Sequence, residues 1–220
     1  MFSFGHLVKT KDTTNDQKFY YGSFRGRLLG SKAREQLILN EIASLSEKDF
    51  FADIGCAQGH YLEKAFEKTN NVFGLDFDFN NLGQVLPPLG FGLVHASAEA
   101  IPFREGSFDF VLCSEVLEHV PDWKKALKEL KRISRKKIVI TIPLEKAWFW
   151  RKFSRFAPMH TRGHLHVLWS KDIESGMKGW KLEKKVLIHT PVRHVNKLLE
   201  KRVSEKKAMY SFMVFSRNAK

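Results

Sequence analysis

Residues 53–59 read D-x-G-x-A-x-G, with Asp53, Gly55, Ala57 and Gly59 at alternate positions directly after the apolar run "FFA". Glycines at such a junction allow a tight turn and close backbone approach to a ligand. A helix start just beyond would leave backbone N–H groups free to meet it. The phosphate-cradling pattern G-x-x-x-x-G-K-[ST] is absent, and a dinucleotide fingerprint would need glycine where Ala57 and His60 stand. An acid at position 53 would repel a pyrophosphate and suits a cationic amino-acid end. Asp76 follows 23 residues later, where dinucleotide folds place a carboxylate on the ribose hydroxyls. The combination calls for an adenosine carrying an ammonium-bearing tail, which describes S-adenosylmethionine.

The elements that must position these residues alternate. "RLLGSKAREQLILNEIASL" has helical spacing, "DFFADIG" (49–55) is a buried strand and "HYLEKAFEKT" (60–69) a helix. "NVFGLD" (71–76) is a second strand, "FNNLGQVL" (79–86) a weak helix stopped by two prolines, and "FGLVHAS" (91–97) a third strand. "FDFVLCS" (108–114) and "KKIVITIP" (136–143) are strands flanking "DWKKALKELKRIS" (122–134), a helix with one apolar stripe and lysines opposite. A helix over 171–178 and strands over 182–190 and 208–217 close the chain. Strand–helix alternation predicts an α/β fold: a Rossmann-like, doubly wound, mostly parallel sheet of about seven strands with helices on both faces.

The four ordered blocks "DIGCAQGHY", "VFGLDFD", "ASAEAIPFREGSFDFVLCSEVLEHVPD" and "KKIVITIP" resemble the class I S-adenosylmethionine-dependent methyltransferases, over roughly residues 35–143. The subgroup with "AEALPF…SFD…EVLEHV" signatures is the most similar. The resemblance implies S-adenosylmethionine as cofactor and S-adenosylhomocysteine as product. It places Asp53, Gly55, Cys56, Ala57 and Gly59 around the methionine end, and implies that a side chain at Gly55 would enter that space. Asp76 would bind the ribose, and Phe77 would flank the adenine. Ser97, Ala98 and Glu99 would lie at the adenine edge, and Ser114 and Glu115 near the transferable methyl. Ala57 replaces a glycine, which requires its backbone to avoid positive φ. Ser97 stands where an aspartate is frequent, and its hydroxyl accepts less strongly than a carboxylate.

For catalysis, His119 and Glu115 are the candidate bases, with His160 and His164 beside them; a base is needed only if the acceptor holds its proton. Simpler roles compete. Asp76 could cap a helix, Glu115 and Glu118 could be helix-start charges, and His119 reads more readily as packing. His160, His164 and His166 form an H-x-x-x-H-x-H set that nothing else supports as a metal site, so no metal is assigned.

The 220 residues fit one domain. Residues 1–30 are a lead-in and possible lid, 35–143 the cofactor core, 144–169 an inserted cap, and 170–220 the C-terminal helix and strands. The cap gathers Trp148, Phe149, Trp150, Phe153 and Phe156 with Arg151, Lys152 and Arg155, which suits an apolar acceptor bearing an anionic group, or a membrane surface.

The chain carries 37 Lys and Arg against 24 Asp and Glu, a net +13. Residues 121–155 hold twelve basic and three acidic side chains, and 178–207 hold ten and three. Such a surface fits phosphate-bearing partners or a solvated helix face. The favoured partner is a small-molecule or lipid acceptor, with peripheral membrane contact as a further expectation. A tRNA or rRNA substrate, or a cofactor-binding protein without turnover, is the alternative. Two cysteines without metal spacing, no signal-like start and no apolar run of spanning length predict a cytoplasmic protein without disulfides.

Overall fold

The computed structural model describes residues 25–85, 92–144, 163–188, 208 and 210–217. Helix α1 spans Arg25–Ile42, starting inside the expected lead-in. Then follow β1 (Phe51–Ile54), α2 (His60–Phe66), β2 (Val72–Asp76), the single-turn α3 (Phe79–Leu82) and β3 (Gly92–His95). Next come β4 (Phe108–Ser114), α4 (Trp123–Ile133), β5 (Ser134–Pro143), α5 (Ser170–Gly176), β6 (Trp180–Ile188) and β7 (Tyr210–Arg217). The proposed cap lies largely outside the described residues; its last stretch, 163–169, is without helix. No helix among the described residues is long and apolar enough to cross a membrane.

The strands form one sheet in the order β3-β2-β1-β4-β5-β7-β6. The first five are parallel, and β7 runs antiparallel to both neighbours. The doubly wound expectation therefore holds, with one reversed strand near the edge. Both faces are buried, so the central strands read as unbroken apolar runs rather than alternating ones.

Two apolar layers sandwich the sheet. Ile38 and Ile42 of α1 and Leu62 and Ala65 of α2 pack on Phe51, Phe110, Leu112, Val139 and Phe212. On the other face, Ala126, Leu127, Leu130 and Ile133 of α4 and Ile173 of α5 cover Val111, Ile138, Ile140 and Phe215. Phe108 lies in this second layer although Phe110, two residues on, lies in the first. The register shift between Phe108 and Phe110 accounts for the switch.

Local chemistry fixes the ends. The Asp122 carboxylate accepts from the Lys125 N–H at 3.0 Å and caps α4. Lys131 and Arg132 occupy the last turn, where cations suit the helix dipole. Arg132 also donates to the Ile101 and Phe103 carbonyls, at 2.9 and 2.6 Å, pinning the loop before β4. At the same end of the sheet, Arg135 forks onto Asp109 with bonds of 2.7 and 2.6 Å. The Phe50 N–H adds a third donor at 2.9 Å.

The Arg135 bond, with help from Phe50 and Lys136, holds the Asp109 carboxyl well below the ordinary carboxylate range. Its stabilisation is complete above about pH 4 and drains away as the pH falls from there towards the depressed folded value. Because Arg135 is half exposed, Asp109→Asn is expected to cost only about 1 to 2 kcal/mol at pH 7. Urea unfolding should show the gap to wild type narrowing below pH 4; a gap independent of pH would show that the carboxylate charge is not what stabilises.

Candidate active site

The expected cofactor residues gather at the carboxyl ends of β1, β2, β3 and β4, four adjacent strands of the sheet. The D-x-G-x-A-x-G loop leaves β1 and folds back over it. The Gly55 and Cys56 N–H groups both donate to the Leu75 carbonyl, at 2.7 and 3.0 Å. Gly55 and Gly59 have φ of +80° and +83°, which glycine adopts without strain.

Ala57 does so as well, with φ of +46°. The expectation that it avoids positive φ is therefore wrong. The reason is a partner: its N–H donates to Asp76 Oδ2 at 2.8 Å. Asp76 Oδ1 accepts from the Asp78 N–H at 2.8 Å and Asn81 Nδ2 at 3.3 Å. Three donors leave the carboxylate roughly one acceptor position. Asp76 is not the helix cap; Asp78 caps α3 by accepting from the Asn80 N–H.

Asp53 is buried beside Asp76. Burial first, and the Asp76 charge second, push its carboxyl up to about 8. Cys56 is buried, and its Sγ packs near Gly74, so it offers the site its backbone. Burial pushes the Cys56 and Cys113 thiols up, so neither is a nucleophile. A side chain at Gly55 would strike the Val116 side chain. The expectation that it would fill ligand space is corrected: a larger residue there disrupts the protein's own packing.

Phe77 projects into solvent, 76% exposed, with His95 6.2 Å away. Its neighbour segment is more committed. Ser97 Oγ accepts from the Glu99 N–H at 3.1 Å, and Glu99 Oε1 accepts from the Asp122 N–H at 2.7 Å. Ala98 is part of the core, so only its backbone faces outward chemistry.

A second sharp turn follows β4. Glu115 is not at a helix start; it has φ of +57° and sits in a bend. Ala57 and Glu115 are the two non-glycine residues with positive φ among the described residues. Strain of this kind costs of order 1–3 kcal/mol and concentrates at functional sites. Ser114 Oγ lies 2.9 Å from Thr141 Oγ1, and Thr141 Oγ1 donates to Glu115 Oε1 at 3.0 Å. Arg34 of α1 completes the group, its Nη1 2.9 Å from Glu115 Oε2 and its guanidinium over the Tyr210 ring at 4.8 Å. Burial pushes the Glu115 carboxyl up, against the pull of Arg34, Thr141 and His164. Arg34 and Thr141 had no sequence signal beyond a lone arginine on a helix and a threonine in a strand.

His119 also joins the site. Its Nδ1 donates to the Gly163 carbonyl at 3.0 Å, and its ring meets His164 edge-on, with centroids 4.6 Å apart. The Glu118 carboxylate is buried, with Oε1 3.9 Å from His119 Nε2. The grouping of His164 with His160 and His166 is corrected in part. His166 turns to the Val120 and Pro121 carbonyls, at 3.1 and 3.0 Å, while His160 lies outside the described residues.

Comparison with known proteins matches residues 52–140 to the methyltransferase domain family. Residues 52–140 are thus similar to a methyltransferase domain. The fold agrees: magnesium protoporphyrin IX methyltransferase from Synechocystis, solved with bound SAH, superposes with a TM-score of 0.67 at 14% identity, covering 94% of this chain and 95% of that one. An S-adenosylmethionine-dependent methyltransferase from Mesorhizobium loti gives a TM-score of 0.61 at 15% identity, covering 86% and 100%. Demethylmenaquinone methyltransferase from Shouchella clausii is 31% identical over 124 residues, 49% of this chain and 53% of that protein. The chain thus spans about half the length of that relative.

The raised Asp53 carboxyl has a measurable consequence for stability. Folded protein keeps a proton there that the unfolded chain loses above about pH 4. Stability from this group is full below that pH and is lost as the pH rises towards 8. Asp53→Asn should flatten the decline in urea stability between pH 5 and 8; an unchanged slope would mean that Asp53 is already ionised.

Proposed function

We propose that the protein is an S-adenosylmethionine-dependent methyltransferase acting on a small, lipophilic acceptor with ring oxygens, of the quinone or hydroquinone type. The observation that carries the cofactor reading is the Asp76 carboxylate, which holds the Ala57 N–H of the glycine loop and keeps an acceptor position beside exposed Phe77. The residues fit the cofactor's parts. Asp53, next to the loop, ionises against an ammonium group; Asp76 accepts from a ribose hydroxyl; Phe77 offers a face to the base. When bound, S-adenosylmethionine supplies a methyl group on a positively charged sulfur and leaves as the neutral thioether S-adenosylhomocysteine.

The acceptor lies on the β4 side. Arg34 and Thr141 keep Glu115 fixed, so that carboxylate shapes the floor of the site rather than moving as a base. His119, His164 and Glu118 form the polar end for an acceptor oxygen. The acceptor's methylated atom gives up one proton as it takes the methyl. The relative is named for methylating demethylmenaquinone, which supports the quinone-type substrate class.

The basic surface supports a nucleic-acid substrate less well. Arg132, Arg135, Lys136, Lys137, Lys184 and Lys185, all within the two basic stretches, are ion-paired with carboxylates.

Calorimetric titration should show S-adenosylhomocysteine binding at micromolar concentration and no NADH binding. Asp76→Ala should weaken the former by about 1.5–3 kcal/mol, roughly 10- to 150-fold, with helix content retained. Undiminished binding by a folded variant would sink the ribose assignment. Methyl transfer to hydroquinones, assayed beside bulk tRNA, tests the acceptor class.

A further inference from the structure

We infer that Glu118, His119 and His164 form a site for one divalent first-row transition ion, at which an oxygen of the acceptor is held. Their ligand atoms all lie within 4.8 Å of one another. The acceptor role rests on the methyltransferase reading above; the metal site itself does not.

The tautomer of His119 is the first argument. A carbonyl only accepts, so the bond to Gly163 places the ring proton on Nδ1. In the neutral imidazole, Nε2 then presents a lone pair, and it faces Glu118 Oε1 at 3.9 Å. A nitrogen lone pair and a carboxylate oxygen at that separation can share one cation. Two atoms bound at about 2.0–2.2 Å to the same ion are at most roughly 4.4 Å apart, so 3.9 Å fits with little motion.

The second argument is the support around the ligands. An imidazole that donates its other N–H to a backbone carbonyl is the usual arrangement behind a metal-bound histidine. Gly163 has φ of +107°, and a side chain there would lie 3.6 Å from His119 Nδ1. The same segment is fastened again where the Leu165 and His166 N–H groups donate to the Glu118 carbonyl, at 2.8 and 3.2 Å. The pieces bearing the three ligands are thus tied together by backbone bonds.

The donor set selects the ion. Two imidazole nitrogens and one carboxylate oxygen suit Zn²⁺, Fe²⁺ or Co²⁺ over Mg²⁺ or Ca²⁺. The Glu118 carboxylate is 1% exposed, so its ligand atoms are held away from bulk solvent. Three protein ligands leave a position open for an exogenous oxygen, whose proton such an ion makes easier to lose.

The test uses full-length protein stripped with a chelator, dialysed, and reloaded with Zn²⁺ or Co²⁺. Elemental analysis should find about one equivalent in wild type. His119→Ala, His164→Ala and Glu118→Gln should each lower affinity ten-fold or more, while His60→Ala, at a surface histidine, should not. His119 is 41% exposed, so its variant should fold and decides the matter even if Glu118→Gln does not. Wild type without tight metal, or folded His119→Ala with a full equivalent, would overturn the site. In the Co²⁺ form, adding a hydroquinone should alter the visible absorption; an unaltered spectrum would overturn the acceptor role. Cofactor binding is measured separately on stripped protein, so failure of the methyltransferase reading and failure of the metal site are distinguishable.

Discussion

Two carboxyl groups at the ends of neighbouring parallel strands, in surroundings that penalise charge, set the terms for the candidate site. Asp53 pairs across the sheet with Gly74, two residues before Asp76. Burial first, and the neighbouring Asp76 charge second, raise the Asp53 carboxyl. The two groups are treated unequally. Asp76 receives three N–H donors, whereas Asp53 is buried until it retains its proton. The loop geometry follows from that choice. To deliver its N–H to Asp76, Ala57 takes a left-handed conformation costing roughly 1–2 kcal/mol. A hydrogen bond to a charged acceptor, about 1.5–3 kcal/mol, offsets that cost.

The turn after β4 repeats the solution with different groups. Glu115 is left-handed too, and its carboxylate is held by Arg34 from α1 and Thr141 from β5. Three elements far apart in sequence thus meet on one side chain. Arg34 gains a second hold over the Tyr210 ring, which belongs to β7. The helix before the sheet and the reversed strand near its edge therefore both brace the β4 turn.

The strands were legible because burial on both faces leaves an apolar signature of the right length. Phe108–Ser114 was read to its ends, and the capping aspartate of α4 marked that helix start. The turn at Gly55 and Gly59 was legible because glycine spacing reports backbone shape. What escaped was tertiary. Nothing in a single arginine on α1 says that it will find Glu115 some eighty residues later. The positive φ of Ala57 was missed because it depends on a carboxylate from another strand. Histidine spacing misled for the same reason: local proximity grouped His164 with His160 and His166, whereas the structure sets it on His119, 45 positions away.

That long-range contact bears on how the segment between β5 and α5 serves the site. Leu144 leaves the end of β5 buried in the core, and the chain is next described at Gly163, whose carbonyl holds His119. From there, Glu118 fastens residues 165 and 166, and Leu168 returns to the core ahead of α5. These two described ends thus lie at the carboxyl edge of the sheet, beside the turn bearing Glu115, Glu118 and His119. The D-x-G-x-A-x-G loop, by contrast, is braced through β2. The turn after β4 and the D-x-G-x-A-x-G loop are therefore held by separate supports, the first by Arg34, Thr141 and the stretch from Gly163, the second by β2.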